Sequence, residues 1–375
     1  LIGYTAGYAI NSSDADGTVA IGYQAGKAIT DGQYNTAIGL NALSSNKRND
    51  YNTAVGYRAL TAYSGSAAGT GGNTAVGSWC GDSVTTGTHN TLMGYYAGQA
   101  LTTAGGSEYI GSQAGYNTTT GAYNTVIGNE ALYQNRVGSY NVAIGHKAGQ
   151  NATGSNNTYI GFNSGQGASA SAPFSSAQQN TAVGMYTMQL VTTGGNNTAL
   201  GYGAINKNST GTNIVAIGKS AGYYATGSYN TFVGADAGKG GTTSAPFSSG
   251  KNNTAIGYQA FDAFTTGNNN TVLGYKAGTS VTSGYSNVLI GYEAAEVIST
   301  GYQNVVVGAN PSQANLQQST LIGFNAGKEG TAHNVVGIGY RAIGQGTLTT
   351  DANGTVAIGY QAGKEVTSAA SSTFI

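Results

Sequence analysis

The sequence predicts an all-β protein, a parallel β-solenoid or β-roll whose coils repeat at a modal period of about 17 residues. Three observations carry that expectation. An aliphatic residue, a glycine, two variable residues and a small residue recur 21 times in 375 residues, with motif glycines running from Gly3, Gly22 and Gly39 to Gly339 and Gly359. Of the spacings between successive motif glycines, more than half equal that from Gly22 to Gly39, and the others run from the shorter step of Gly308 to Gly323 up to the longer one of Gly161 to Gly184. The composition suits stacked turns: 62 residues are Gly and 7% are charged, against about a quarter in an ordinary globular chain. Gly without a Gly-X-Y period excludes collagen, and low charge with 27 Tyr does not fit disorder.

Counting positions from the motif glycine justifies each element in turn. Minus one is Ile, Val, Leu or Met in every copy, as in Ile38, Val76, Met93 and Leu273, and minus three is mostly Thr or Val. Side chains alternate along a strand, so these two share a face and minus two points the other way. Minus two is also apolar or small, as in Ala37, Ala54, Leu92, Tyr109 and Phe232. A strand apolar on both faces is buried on both. The expectation is that Ile21 and Ile358 point inward and that Ala20 and Ala357 face a partner chain, giving a homo-oligomer. A wider single-chain solenoid with a second inner face is the alternative. The glycine supplies a backbone geometry that a Cβ forbids, or a close approach between coils.

The rest of the coil is turn chemistry. Plus three is Ala in 17 of 21 copies, the exceptions being Cys80, Ser164, Thr187 and Pro311. Minus four is Asn in 14, including Asn35, Asn52, Asn73, Asn90 and Asn253. Stacked asparagines at a corner can hydrogen-bond their equivalents in the next coil. A unit of this length is too short for a helix pair and fits two short strands and two tight turns. Twenty-one such coils at about 4.8 Å make a rod of roughly 100 Å. Residues 1–375 read as one continuous array and a fragment of a longer chain, because LIGYTAG opens inside a motif and SSTFI stops just short of an expected glycine.

The charge balance, 14 basic against 14 acidic residues scattered singly, argues against nucleic acid or an anionic membrane as a partner. No apolar run reaches the ~20 residues of a membrane helix. A single cysteine, Cys80, excludes an intrachain disulfide framework.

The phrases NTAIG, NTAVG, TVAIG and NIVAIG followed by xxA resemble the head repeats of trimeric autotransporter adhesins of the YadA type, and are similar to repeats of bacteriophage tail fibres and bacterial surface proteins. The resemblance covers essentially the whole chain through its motif. It implies a homotrimeric, left-handed parallel β-roll whose outer surface adheres to a host or matrix. The chain departs from the adhesin pattern in its longer period and in lacking a stalk or membrane anchor.

Motifs that suggest chemistry dissolve into the repeat. GKSAG at 218–222 fits a nucleophile elbow around Ser220, yet it is one copy of the coil motif, and His89, His146 and His333 lie in separate coils. GYQAGKA at 22–28 and GFNAGKE at 323–329 are each one residue short of a phosphate loop and lack Ser or Thr after Lys. DADG at 14–17 and DANG at 351–354 offer Asp14, Asp16, Asp351 and Asn353 to Ca²⁺, against the plainer reading that these are turn residues. Ten copies carry Tyr after the glycine: Tyr4, Tyr23, Tyr57, Tyr95, Tyr202, Tyr258, Tyr275, Tyr292, Tyr340 and Tyr360. They can stack on sugars, or on one another along the coil edges. SAPFSS occurs at 171–176 and again at 244–249, in inserted segments that either protrude for recognition or are pinned by Pro and Phe.

No catalytic, metal or cofactor-binding residue is assigned, and no cofactor is expected. The reading is a non-enzymatic, extracellular structural fibre protein for attachment, carried on a virion or a bacterial surface. Its partners are its own copies and a host-surface glycan or receptor, without membrane insertion in this segment. An ice- or mineral-binding solenoid is the alternative, from the column Thr36, Thr53, Thr74 and Thr91, and a polysaccharide-cleaving solenoid enzyme comes third.

Overall fold

A computed structural model of the chain describes residues 1–10, 15–65, 69–168, 174–241, 247–310, 316–327, 333–343, 352–368 and 370–375. It is a parallel β-solenoid with one coil per sequence repeat, without α-helix among the described residues. The chain divides into two compact units, Leu1–Thr193 and Gly194–Ile375.

In the first unit, three-residue strands run from β1 (Val19–Ile21) and β2 (Thr36–Ile38) to β10 (Thr181–Val183). Each coil supplies one strand, and successive strands pair in parallel with identical motif positions opposite each other: Thr36 with Thr53, Ala37 with Ala54, Ile38 with Val55. The second unit repeats the arrangement from β11 (Thr198–Leu200) to β20 (Val356–Ile358), with a two-residue β21 (Thr373–Phe374) paired on β20. The sequence suggested two strands per coil. The other sides instead climb from coil to coil by backbone hydrogen bonds without regular strand, as where the N–H groups of Gly98, Ala100 and Thr102 donate to the carbonyls of Ala114, Tyr116 and Thr119 at 2.9, 3.0 and 2.9 Å.

Alternation holds, but the inward face is the opposite of the one expected. From Ala20 to Ala357, every minus-two residue of the named three-residue strands is buried inside its own coil, Tyr109, Tyr159 and Phe232 included. The minus-one aliphatics, Ile21 and Ile358 among them, stand on the outer face, half-buried or exposed. Ala20 and Ala357 therefore face the coil interior, not a partner. The interior is completed by plus three, buried at every described copy from Ala25 to Ala342, and by plus seven, where Ile29, Tyr63, Val84, Leu101, Phe264, Val281 and Ile298 are buried.

In several coils interior volume is shared between minus two and plus four; where both are small, as at Ala75 with Gly81 or Ala143 with Gly149, side chains of the adjacent coils reach in. Where minus two is Ala37 or Ala54, plus four is Leu43 or Leu60; where it is Tyr109, Tyr159 or Phe232, plus four is Gly115, Gly165 or Gly238. A Cβ at Gly115 would run into the Tyr109 ring. Leu43 and Leu60 sit at φ 49°, a left-handed conformation that costs a leucine about 1 kcal/mol or more, which is offset by filling space an alanine leaves open.

The motif glycine does both things its position suggested. Gly22 has φ +128°, and a Cβ there would meet the Gly39 carbonyl oxygen of the next coil at 2.7 Å. Its N–H meanwhile donates to the Ile2 carbonyl on the other side at 2.7 Å.

Candidate functional site

The minus-four asparagines form a buried amide ladder. Asn270 Nδ2 donates to Asn253 Oδ1 at 3.1 Å and to the Gly284 carbonyl at 2.9 Å, while its own Oδ1 accepts from the N–H of Asn287 at 3.1 Å and from Asn287 Nδ2 at 3.0 Å. Where serine replaces asparagine the acceptor survives: Asn124 N–H donates to Ser107 Oγ at 3.1 Å. This column is committed to holding the coils in register.

The surface left for interaction is the outward face of the strands, built from minus three and minus one. Met93 and Ile127 in the first unit, and Leu200, Ile217, Ile256, Leu273, Ile322 and Ile358 in the second, are each more than a third exposed. Beside them runs the Thr and Val column, with Thr181, Thr198 and Thr271 exposed. Among the described residues Glu108 is the only charged side chain in these two columns, and Thr125 Oγ1 donates to its Oε2 at 2.9 Å. At strand spacing, ten consecutive strands give each unit an aliphatic stripe roughly 45 Å long. A contiguous apolar surface of that kind is a candidate for interaction.

The tyrosine edges are occupied by one another. Tyr258, Tyr275 and Tyr292 stack with centroids 5.5 and 5.2 Å apart and ring planes within 20° and 8°. A second edge stacks Tyr34 on Tyr51 and Tyr123 on Tyr140, at 5.3 and 5.2 Å. Rings paired in this way cover each other's faces, which a sugar would need.

The remaining sequence candidates fall in separate places. Asp14 and Asp351 lie outside the described residues; Asn353 Oδ1 accepts the His333 backbone N–H at 2.7 Å, and the Asp16 carbonyl accepts that of Tyr34 at 2.9 Å. No group of three or more His, Cys, Asp or Glu side chains able to hold a metal occurs among the described residues. Ser220 is at a left-handed corner, φ 54°, and buried, while His146 stacks on Phe162. Of the SAPFSS segments, 171–173 and 244–246 lie outside the described residues. Their second halves are docked on the coil: Ser175 bridges Ala152, Ser248 bridges Ala225, and Phe247 stacks on Tyr224 at 6.0 Å.

No helix among the described residues is long and apolar enough to cross a membrane. No family profile matches the chain, and no curated protein is significantly similar to it.

Proposed function

We propose that the chain is a non-enzymatic fibre segment for attachment at a virion or bacterial surface, assembled as a homotrimer through its outward strand face. The observation that carries this reading is the aliphatic minus-one column, which a lone coil leaves in water and which identical copies can cover. Three copies meeting about a common axis would bury the same residues from each chain, as closed symmetry requires. Repetition along the coils would then give avidity to weak surface contacts with a glycan or receptor.

Paired substitutions one residue apart test it. Leu273→Asp is expected to leave the solenoid folded and reduce the assembly to single chains. Val272→Asp places an unpaired charge inside the coil and is expected to unfold it locally, at a cost of several kcal/mol. Native mass measurement and circular dichroism read both. A wild-type mass of one chain sinks the trimer, and glycan turnover by the purified protein sinks the non-enzymatic reading.

One observation favours a second reading. The Thr column faces outward beside the aliphatics, as an ice-binding face requires, although Glu108, Val142, Val215 and Val288 interrupt it. A single-chain protein that produced thermal hysteresis would replace the fibre reading, because assembly and ice compete for the same face.

A further inference from the structure

In the first unit the orderly stacking of rings breaks where Phe162 meets Tyr186 at 87°, and over a longer run around Trp79. Arg58, Trp79 and Tyr96 occupy plus two of three successive coils, at φ 57°, 60° and 58°, so their side chains leave the same corner in the same direction. Tyr57 and Tyr95 flank them at plus one. Here the rings do not lie flat on each other: Tyr57 meets Trp79 at 82°, Tyr95 meets Tyr96 at 59°, and Tyr96 meets Tyr116 at 79°. Only Trp79 and Tyr96 approach parallel, at 28° with centroids 5.8 Å apart. A turned ring leaves a face that its neighbour does not cover; Tyr57 and Tyr95 are no more exposed than the ladder tyrosines Tyr258, Tyr275 and Tyr292, so it is the tilt of the rings that sets this corner apart.

A fixed polar group sits among them. Arg58 lies over Trp79, its guanidinium carbon 4.3 Å from the ring centroid. Asp82, itself buried, holds that guanidinium through both oxygens: Nε donates to Oδ1 at 3.0 Å and Nη2 to Oδ2 at 3.3 Å. A guanidinium pinned by a buried carboxylate and stacked on an indole keeps its remaining N–H groups aimed, with little freedom left to lose on binding. The pair is neutral, so the patch attracts no net charge.

We propose that this corner is a saccharide platform, with Tyr57 and Tyr95 supplying ring faces, Arg58 supplying directed donors to a neutral pyranose oligosaccharide, and Trp79, stacked against Arg58 and Tyr96, holding the guanidinium in place. It rests on the attachment reading above and names the ligand class. The chemistry is that of an amphipathic partner. The C–H face of a pyranose carries slight positive charge and packs on the negative face of an aromatic ring, while its hydroxyls take the guanidinium N–H groups and the tyrosine hydroxyls. A shallow corner of turned rings suits a flat sugar, and a purely aliphatic partner would leave the Arg58 donors unpaired.

Trp79 is the only tryptophan in the chain, so its fluorescence reports this corner alone. The full chain is titrated with cellohexaose, chitohexaose and maltohexaose while tryptophan emission is followed. At least one is expected to give a saturable shift, with calorimetry giving the same affinity. Trp79→Ala and Arg58→Ala are each expected to weaken calorimetric binding at least about fivefold, the loss expected from removing one stacking or charge-assisted contact. Tyr275→Ala, in a regular ladder, should leave it unchanged. Trp79→Phe and Arg58→Gln serve if a truncation disturbs the coil. Absence of saturable change with all three sugars, or binding unaffected by the Trp79 and Arg58 variants, overturns the proposal. The platform lies within one chain's own coils, so a single-chain mass would sink the trimer and leave this test intact.

Discussion

A Cβ at Gly161 would stand 2.6 Å from the carbonyl oxygen of Gly184, and φ there is +128°. Backbone has nowhere to yield in a stack of coils, so Gly161→Ala is expected to cost roughly 3 kcal/mol or more, seen as a lower urea midpoint for the full chain. Asn270→Ala removes a different support. It deprives the Gly284 carbonyl and the Asn287 N–H of their partners in a buried corner, and is expected to cost about 2 to 4 kcal/mol, with faster amide exchange at Asn287 than at Asn253. Both residue types were legible in the sequence, because each has one physical use at a fixed spacing. The inward face was not. Minus one and minus two are both apolar, and alternation separates the two faces without saying which of them is inside. The clue lay in size: minus one keeps to Ile, Val, Leu and Met, whereas minus two ranges from Ala to Tyr and Phe, as residues do that must fill a cavity of fixed volume.

At the scale of the coil, that volume is in several coils shared between two positions on either side of the motif glycine. Tyr109 with Gly115, and Ala54 with Leu60, are two fillings of equivalent space. Tyr109→Ala alone should open a cavity worth about 3 to 5 kcal/mol, and Gly115→Leu alone should clash with the ring. The double variant Tyr109→Ala with Gly115→Leu recreates the Ala54 and Leu60 pattern. It is expected to recover at least about 1 kcal/mol relative to the sum of the singles, which a double-mutant cycle in urea would measure. The pairing could have been read from the aligned copies, since a large residue at one position excludes a large one at the other. What the sequence hid was the number of strands per coil, because the segment after plus four alternates too weakly to show which backbone groups pair.

Across the molecule, the two units fill their interiors with different aromatics, and pH should tell them apart. The first buries Tyr63, Tyr109 and Tyr159, and the second Phe232, Phe261 and Phe264. Burial, only partly opposed by a hydrogen bond with Asn73, pushes Tyr63 up to about 12, and burial raises Tyr109 and Tyr159; it also pushes the Cys80 thiol to about 12. The folded chain thus holds protons that the unfolded chain gives up near pH 9 to 10, so stability is whole below that range and falls as pH rises toward about 12. Amide exchange or limited proteolysis across pH 9 to 12 is expected to open the first unit before the second. Equal loss in both would show that the buried phenols do not govern alkaline unfolding.

The asparagine ladder closes the same hydrogen bond over unequal lengths of chain. Asn141 reaches back to Asn124 at 3.1 Å, and Asn180 reaches across a longer inserted segment to Asn157 at 3.3 Å. Each rung recognises the rung beside it, whatever the chain did in between. Heredity can therefore act on this protein in whole coils: a gene that gains or loses a repeat unit presents the same rung at every new junction. Variation in copy number becomes a nearly neutral change, and inserted segments between rungs are free to diverge.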